Sequence, residues 1–187
     1  KTFARRDGDR YIVNGQKIWI STAQVASKML LLARTTPREE VEKPTHGLSL
    51  FYVDFDRTRI EAREIDKMGR KAVDSNAVFY DGMPVPHEDL IGEEGKGFYY
   101  VMETLDSGRI SIGALALGLA QGAYEAMVAY AVDRTAFGKP IANLQLIQEK
   151  IAKMSQDYEI ARLLYLQSGW LQNQGRRNTL ETSYAKK

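Results

Sequence analysis

Apolar residues recur on two different periods along this chain, and the period changes near residues 95–97. In the first half the apolar runs are short and bounded by turn residues. Tyr11-Ile12-Val13 and Lys17-Ile18-Trp19-Ile20 flank Asn14-Gly15, the arrangement that most strongly predicts a β-hairpin. Residues 29–33 and 48–53 are continuous apolar runs of strand length, and Phe51, Tyr52 and Val53 are strong strand formers. Residues 60–65 alternate apolar with charged side chains, as a half-buried strand does, and residues 77–80 add a further strand. The charged stretch between Pro37 and Pro44 predicts an exposed loop, and Pro84 and Pro86 are expected to end the β region. Short strands at this spacing predict a small antiparallel β domain of sandwich or barrel type.

From Phe98 to about Val132 no proline occurs. Met102, Leu105, Arg109, Ile112, Ala116, Leu119 and Ala123 follow one another in steps of three or four, which predicts a helix of roughly 50 Å. Gly113, Gly118 and Gly122 weaken it locally and would permit close helix contact. Gly138-Lys139-Pro140 interrupts the pattern. Asn143 is the expected N-cap of a second long helix reaching about Gln174, with Gly175 at its C′ position. Asn178 and Glu181 are spaced as a capping box opening a third helix. The expected fold class is therefore α+β. Residues 1–95 form the β domain, and residues 96–187 begin an incomplete bundle of long antiparallel helices.

Composition narrows the function. Twenty-six Lys plus Arg against 24 Asp plus Glu leave a formal net charge of +2, which argues against a nucleic-acid binder working by counterion release. The absence of cysteine excludes disulfides, thiolate metal sites and Cys nucleophiles, and suits a reducing compartment. Two widely separated histidines, His46 and His87, do not suggest a His-rich metal site. No signal-peptide pattern is visible, and the longest apolar stretch, around residues 110–120, reads as too short for a membrane span. The chain starts at Lys1 and stops inside a helical pattern, so it is expected to be a fragment of a longer protein.

Two constellations could carry chemistry. Residues 11–21 end in Trp19-Ile20-Ser21, where on physics alone Trp19 is a core aromatic and Ser21 a strand-end polar residue. Residues 133–141 read Asp-Arg-Thr-Ala-Phe-Gly-Lys-Pro-Ile and are followed by Gln145. Alone, Arg134 is a cation favoured at a helix C-terminus, Phe137-Gly138 a helix stop and Gln145 a first-turn surface residue. Asp106 and Arg109, at i and i+3, could be a simple surface ion pair.

Taken together and in this order, these stretches resemble the acyl-CoA dehydrogenase family. Asn14 to Ser21 matches its N-G-x-K-x-W-I-[ST] strand, Arg134 to Gly138 its R-x-x-F-G, and Gln145 the Gln eight residues after the Phe. Gly82 to Pro86, Glu93 to Gly97 and Leu105 to Arg109 resemble its V-P stretch, its Gly-rich loop and its L-D-x-x-R segment. The resemblance implies an FAD-dependent enzyme that removes the α-proton of an acyl-CoA thioester and passes the β-hydride to flavin N5. Trp19 would lie against the flavin ring, Ile20 would contribute backbone, and Ser21, usually Thr in the family, would offer its hydroxyl to N5. Arg134 would reach the FAD pyrophosphate of a neighbouring subunit. Phe137 and Ile141 would pack on the adenosine half, and Gln145 would hydrogen-bond FAD. Ala136 stands where several relatives have Thr. Asp106 and Arg109 would face the acyl-CoA.

The resemblance also places the catalytic Glu beyond Lys187. A minority of relatives carry the base at the position of Gly108, and Glu103 lies a turn away from it. The fragment alone is expected to be inactive and to bind FAD weakly. An electron-transfer flavoprotein as acceptor, a homotetramer built as a dimer of dimers, and a location in the bacterial cytoplasm or mitochondrial matrix are further implications. The same architecture serves acyl-CoA oxidases, flavin monooxygenases, nitroalkane oxidases and desulfinases. A non-catalytic assembly module is the other alternative.

Overall fold

The computed structural model describes residues 2–186, which fall into two compact units, one ending at Met102 and one beginning at Glu103. The first unit holds strands β1 (Thr2–Asp7), β2 (Arg10–Ser21), β3 (Lys28–Arg34), β4 (Leu48–Asp54), β5 (Ile60–Glu64), β6 (Ser75–Pro86) and β7 (Leu90–Ile91). They make one sheet in the order β5-β6-β2-β1-β3-β4-β7. All pairings are antiparallel except β1 with β3, so the sheet is mixed where a purely antiparallel one was expected.

The hairpin expected at Asn14-Gly15 is not there. Residues 10–21 form one continuous strand, and the turn lies at Gly8-Asp9, between Asp7 and its ladder partner Arg10. Gly8 has φ +63° at the first turn position, which a two-residue hairpin loop of type II′ reserves for glycine. Asn14 and Gly15 are instead paired with Phe3 and Thr2 on one side, and β6 runs along the other. A strand with ladder partners on both edges overrides the local turn propensity. The irregularity survives as a register shift, where Asn14 Oδ1 accepts the Gly82 amide at 2.8 Å.

Pro84 and Pro86 do not end the β region either. They lie within β6, opposite Ile12 and Arg10. Beyond Tyr80 β6 has β2 on one edge only, since β5 pairs just with residues 76–80. A strand with one free edge tolerates residues that cannot donate to the ladder.

The core comes from the alternate positions the periodicity selects. Tyr11 and Val13, Leu31 and Ala33, Phe51 and Val53 are all buried. Tyr11 and Phe51 meet edge to face, with ring centroids 5.0 Å apart, although two strands lie between theirs in the sheet. The sheet therefore curls so that the inner faces of distant strands touch. The Tyr11 hydroxyl donates to Glu94 Oε2 at 2.8 Å and lies 3.2 Å from His87 Nδ1, which ties β2 to the segment after β7. Gly97 begins the next helix hard against β4. A Cβ there would collide with Leu50 N and the Ser49 backbone, so only glycine allows this approach.

Helix α1 (Gly97–Asp133) matches the expected span within a residue at each end and runs from the first unit into the second. The second unit continues with a small hairpin, β8 (Thr135–Ala136) and β9 (Lys139–Pro140), then α2 (Gln145–Asn173) and α3 (Thr179–Lys186). Asn143 does not cap α2. It sits in a 3₁₀ turn (Ile141–Asn143), and Leu144 holds the cap position without a side-chain bond. Gly175 has the expected left-handed conformation, φ +64°. Asn178 precedes α3, but its amide donates to Ser168 O at 3.1 Å instead of closing a capping box. Tyr158 bonds to Gln121 and Gln172 to Ser107, so α2 runs antiparallel to α1. Gly113 lets α3 approach α1, because its missing Cβ would stand 3.0 Å from Ala185 O. At 37 residues, α1 is long and apolar enough to cross a bilayer by length and composition alone.

Candidate functional site

In the first unit, the sequence-predicted residues gather on a β-bulge. Lys17 pairs with Val78 and Ile20 with Asn76, so Ile18 and Trp19 together oppose the single residue Ala77. Two against one is the defining count of a bulge, and bulges re-aim side chains. Trp19 is held at φ +63° with 62% of its surface exposed. It is not the core aromatic that isolated inspection of the sequence would make it. A bulky residue in the left-handed region is an outlier that tertiary contacts must hold in place. Thr22 repeats the feature at φ +60°. Ser21, between them, is exposed, and among the described residues its hydroxyl has no protein partner.

The residue that holds the bulge is Asn76, which no sequence motif singles out. It is fully buried. Its amide nitrogen donates to Ile20 O at 3.0 Å and to Asp74, and its oxygen accepts from Gln24 Nε2 at 2.7 Å. Asp74 O accepts the Thr22 amide at 3.4 Å, and Asp74 Oδ2 accepts the Gln24 amide at 3.3 Å. These bonds, led by that from Asn76, hold the Asp74 carboxyl below the usual range. An Asn whose donors and acceptor are all used inside a fold fixes one local geometry.

In the second unit, Arg134, Phe137, Ile141 and Gln145 surround one turn. Ala136 pairs with Lys139, which leaves Phe137-Gly138 as the two central residues, at φ +51° and +76°. Positive φ at both centres is the type I′ condition. Gly138 meets it freely, whereas Phe137 does so under strain and is 92% exposed. What looks in sequence like a plain helix stop is a tight hairpin presenting an aromatic ring. Ile141 N donates to Arg134 O at 2.8 Å and closes the loop back on the end of α1. Gln145 opens α2 and is exposed, as expected of a first-turn residue. Among the described residues, neither the Arg134 guanidinium nor the Gln145 amide has a side-chain partner.

Asp106 and Arg109 form an ion pair on α1, each side chain about one quarter exposed. Asp106 Oδ2 also accepts from Thr179 Oγ1 at 2.9 Å, so the pair anchors the start of α3. Glu103, on the same helix, is exposed. Among the described residues no group of three or more His, Asp or Glu could hold a metal ion.

Each unit by itself carries groups that suit part of a flavin nucleotide. In the first unit an exposed indole offers a stacking surface and the Ser21 hydroxyl a hydrogen bond, and in the second unit the Gln145 amide offers another. A guanidinium free of carboxylates offers the bidentate fork that phosphate oxygens take.

The fold and the two exposed, strained segments define an α+β protein in which a curled mixed sheet leads into long antiparallel helices. The family description "Acyl-CoA dehydrogenase, middle domain" matches residues 1–83, and "Acyl-CoA dehydrogenase, C-terminal domain" matches residues 95–187. The chain belongs to the acyl-CoA dehydrogenase family, whose members are FAD-dependent oxidoreductases. It is 37% identical over its whole length to "Probable acyl-CoA dehydrogenase YngJ" of Bacillus subtilis, covering 48% of that protein. It is 37% identical to the "Short-chain specific acyl-CoA dehydrogenase, mitochondrial" of Bos taurus, with 99% of this chain and 44% of that one aligned. The butyryl-CoA dehydrogenase structure from Megasphaera elsdenii superposes with a TM-score of 0.88 at 33% identity, over 99% of this chain and 48% of that one. The chain thus spans about half the length of the relatives it matches.

Proposed function

We propose that this chain supplies the flavin-facing strand and the pyrophosphate-facing turn of an FAD-dependent acyl-CoA dehydrogenase. The observation that carries the proposal is the pair of exposed aromatics, Trp19 and Phe137. Each is held at positive φ inside the segment that the family resemblance assigns to the cofactor. Strain of this kind lowers stability and persists where binding uses it. The site residues are Trp19, Ile20, Ser21, Arg134, Phe137, Ile141 and Gln145 toward FAD, and Asp106 and Arg109 toward the acyl-CoA.

Bound FAD would supply the hydride-accepting chemistry of α,β-dehydrogenation. The chain's own residues orient it. Trp19 covers the ring, and Ser21 donates a hydrogen bond from a hydroxyl that no group among the described residues uses. Arg134 neutralises phosphate charge, and Phe137 with Ile141 shields the nucleotide half from water. The base that takes the α-proton is assigned to a Glu outside residues 1–187. Arg134 acting on a neighbouring subunit's FAD makes a dimer the minimal working unit, within a dimer of dimers. An electron-transfer flavoprotein is the proposed acceptor, and the bacterial cytoplasm or mitochondrial matrix the proposed location. In that assembly the apolar side of α1 faces protein.

The test is an anaerobic visible spectrum of the full-length protein with FAD, before and after a panel of saturated acyl-CoAs. Bleaching of the flavin band is expected. A flavin band that no acyl-CoA bleaches, or no flavin uptake on reconstitution, would overturn the proposal.

A further inference from the structure

A group of cations without ion-pair partners among the described residues lines a cavity that the flavin reading does not use, with Lys17 on the same strand as Trp19. A cavity of about 430 Å³ opens on the outer face of the sheet. Its apolar wall is Phe3 of β1, Leu32 of β3 and Leu48 of β4. Phe3 and Arg34 are ladder partners, and so are Arg34 and Leu48, so strand register itself sets these side chains abreast.

Three cations line the same cavity: Lys17, Arg34 and Arg38. Among the described residues none of them makes an ion pair. Glu39 is the single carboxylate on the wall. Arg34 is fixed by donating to Thr36 O at 3.2 Å, His46 O at 3.0 Å and Pro44 O at 2.7 Å. Carbonyls hold its guanidinium in position but leave its charge uncancelled. Arg38 donates to Val41 O at 2.8 Å and is held in the same way. Lys17 has no hydrogen-bond partner among the described residues, and burial lowers its amine below the ordinary lysine pKa. A half-buried ammonium with no counter-charge is costly unless something supplies one.

We infer that this cavity, with Lys17, Arg34 and Arg38 set around Phe3, Leu32 and Leu48, is a binding site for a phosphate monoester carrying a small apolar group. The volume is that of a small-molecule site. Three cations match a group of about two negative charges better than a carboxylate, and guanidinium forks fit phosphate oxygens. The apolar wall gives the ester's organic group a surface to cover. The inference does not rest on the flavin reading: Lys17 shares β2 with Trp19, but none of the residues lining the cavity is among those assigned to FAD or to acyl-CoA.

The test is a titration of this chain with phenyl phosphate, followed by NMR and calorimetry, with inorganic phosphate and benzoate as comparators. Phenyl phosphate should bind with a Kd of about 1 mM or tighter, ahead of both comparators. It should perturb the resonances of Phe3, Leu32 and Leu48, and it should weaken as salt is raised. Lys17→Gln and Arg38→Gln should each weaken binding about tenfold, while Arg59→Gln, on a different surface, should not. Arg38 lies in an exposed 3₁₀ turn (Arg38–Glu40) outside the sheet, so its variant stays informative even if Lys17→Gln disturbs the sheet. Equal binding of benzoate, or unchanged affinity in Arg38→Gln, would overturn the inference.

Discussion

Two tyrosines and one phenylalanine show how much single side chains decide. Burial, and then the hydrogen bond and charge of Glu94, push Tyr11 up from 10.0 to about 12, and burial alone does the same to Tyr80. A phenol whose folded pKa exceeds its unfolded value binds its proton more tightly in the native state. Its contribution is therefore complete below pH 10 and is lost as pH rises toward 12. Thermal stability measured against pH should accordingly fall above pH 10, with a late step in phenolate absorbance from two of the ten tyrosines. In Tyr11→Phe that late step should halve. Phe137 works in the opposite sense. Left-handed backbone costs a bulky residue about 1–2 kcal/mol, and a side chain 92% exposed recovers almost nothing by burial. After the entropy that glycine adds to the unfolded chain, Phe137→Gly should stabilise by about 0.5–1 kcal/mol and raise Tm by a few degrees. FAD affinity of the full-length protein should drop in the same variant. A lower Tm would mean that the ring packs against something in the folded chain.

At the scale of elements, the bulge in β2 carries the argument. Its geometry is enforced by the neighbouring strand, through Asn76. Asn76→Ala would leave Ile20 O and the Gln24 amide without their buried partner and should cost about 2–3 kcal/mol. Trp19 fluorescence should shift and broaden in that variant under conditions where circular dichroism still reports native strand content. An unchanged Trp19 signal would remove Asn76 from its positioning role. None of this was legible in sequence. The Asn14-Gly15 pair pointed to a turn because turn propensity is local, whereas the partners that straightened the strand, β1 and β6, lie elsewhere in the chain. Strand β1 itself escaped notice, since its inward positions are only Thr2 and Ala4, too small to signal a buried face.

At the scale of the whole chain, α1 and α2 keep large apolar residues in solvent. Leu115, Leu119, Leu163 and Trp170 are each more than half exposed. Apolar surface on that scale calls for partners. A hydrophobic dye should therefore light up on this chain and stay dark on the full-length, FAD-loaded protein. Equal fluorescence from both would show that the helices are not covered in the assembly.

The sequence by itself determined the change from a β half to a helical half, the extent of α1 and the family. Those rest on local periodicity and on motif spacing, which a single strand of text carries in full. Only the tertiary structure decided that residues 10–21 are one bulged strand, that Phe137-Gly138 is a hairpin and not merely a helix stop, and that Asp106 holds Thr179 as well as Arg109. The tertiary structure also gathered Lys17, Arg34 and Arg38 around one cavity. Each of these depends on a partner brought near by folding, and pairing energy from a distant strand or helix outweighs local propensity of about 1 kcal/mol per residue.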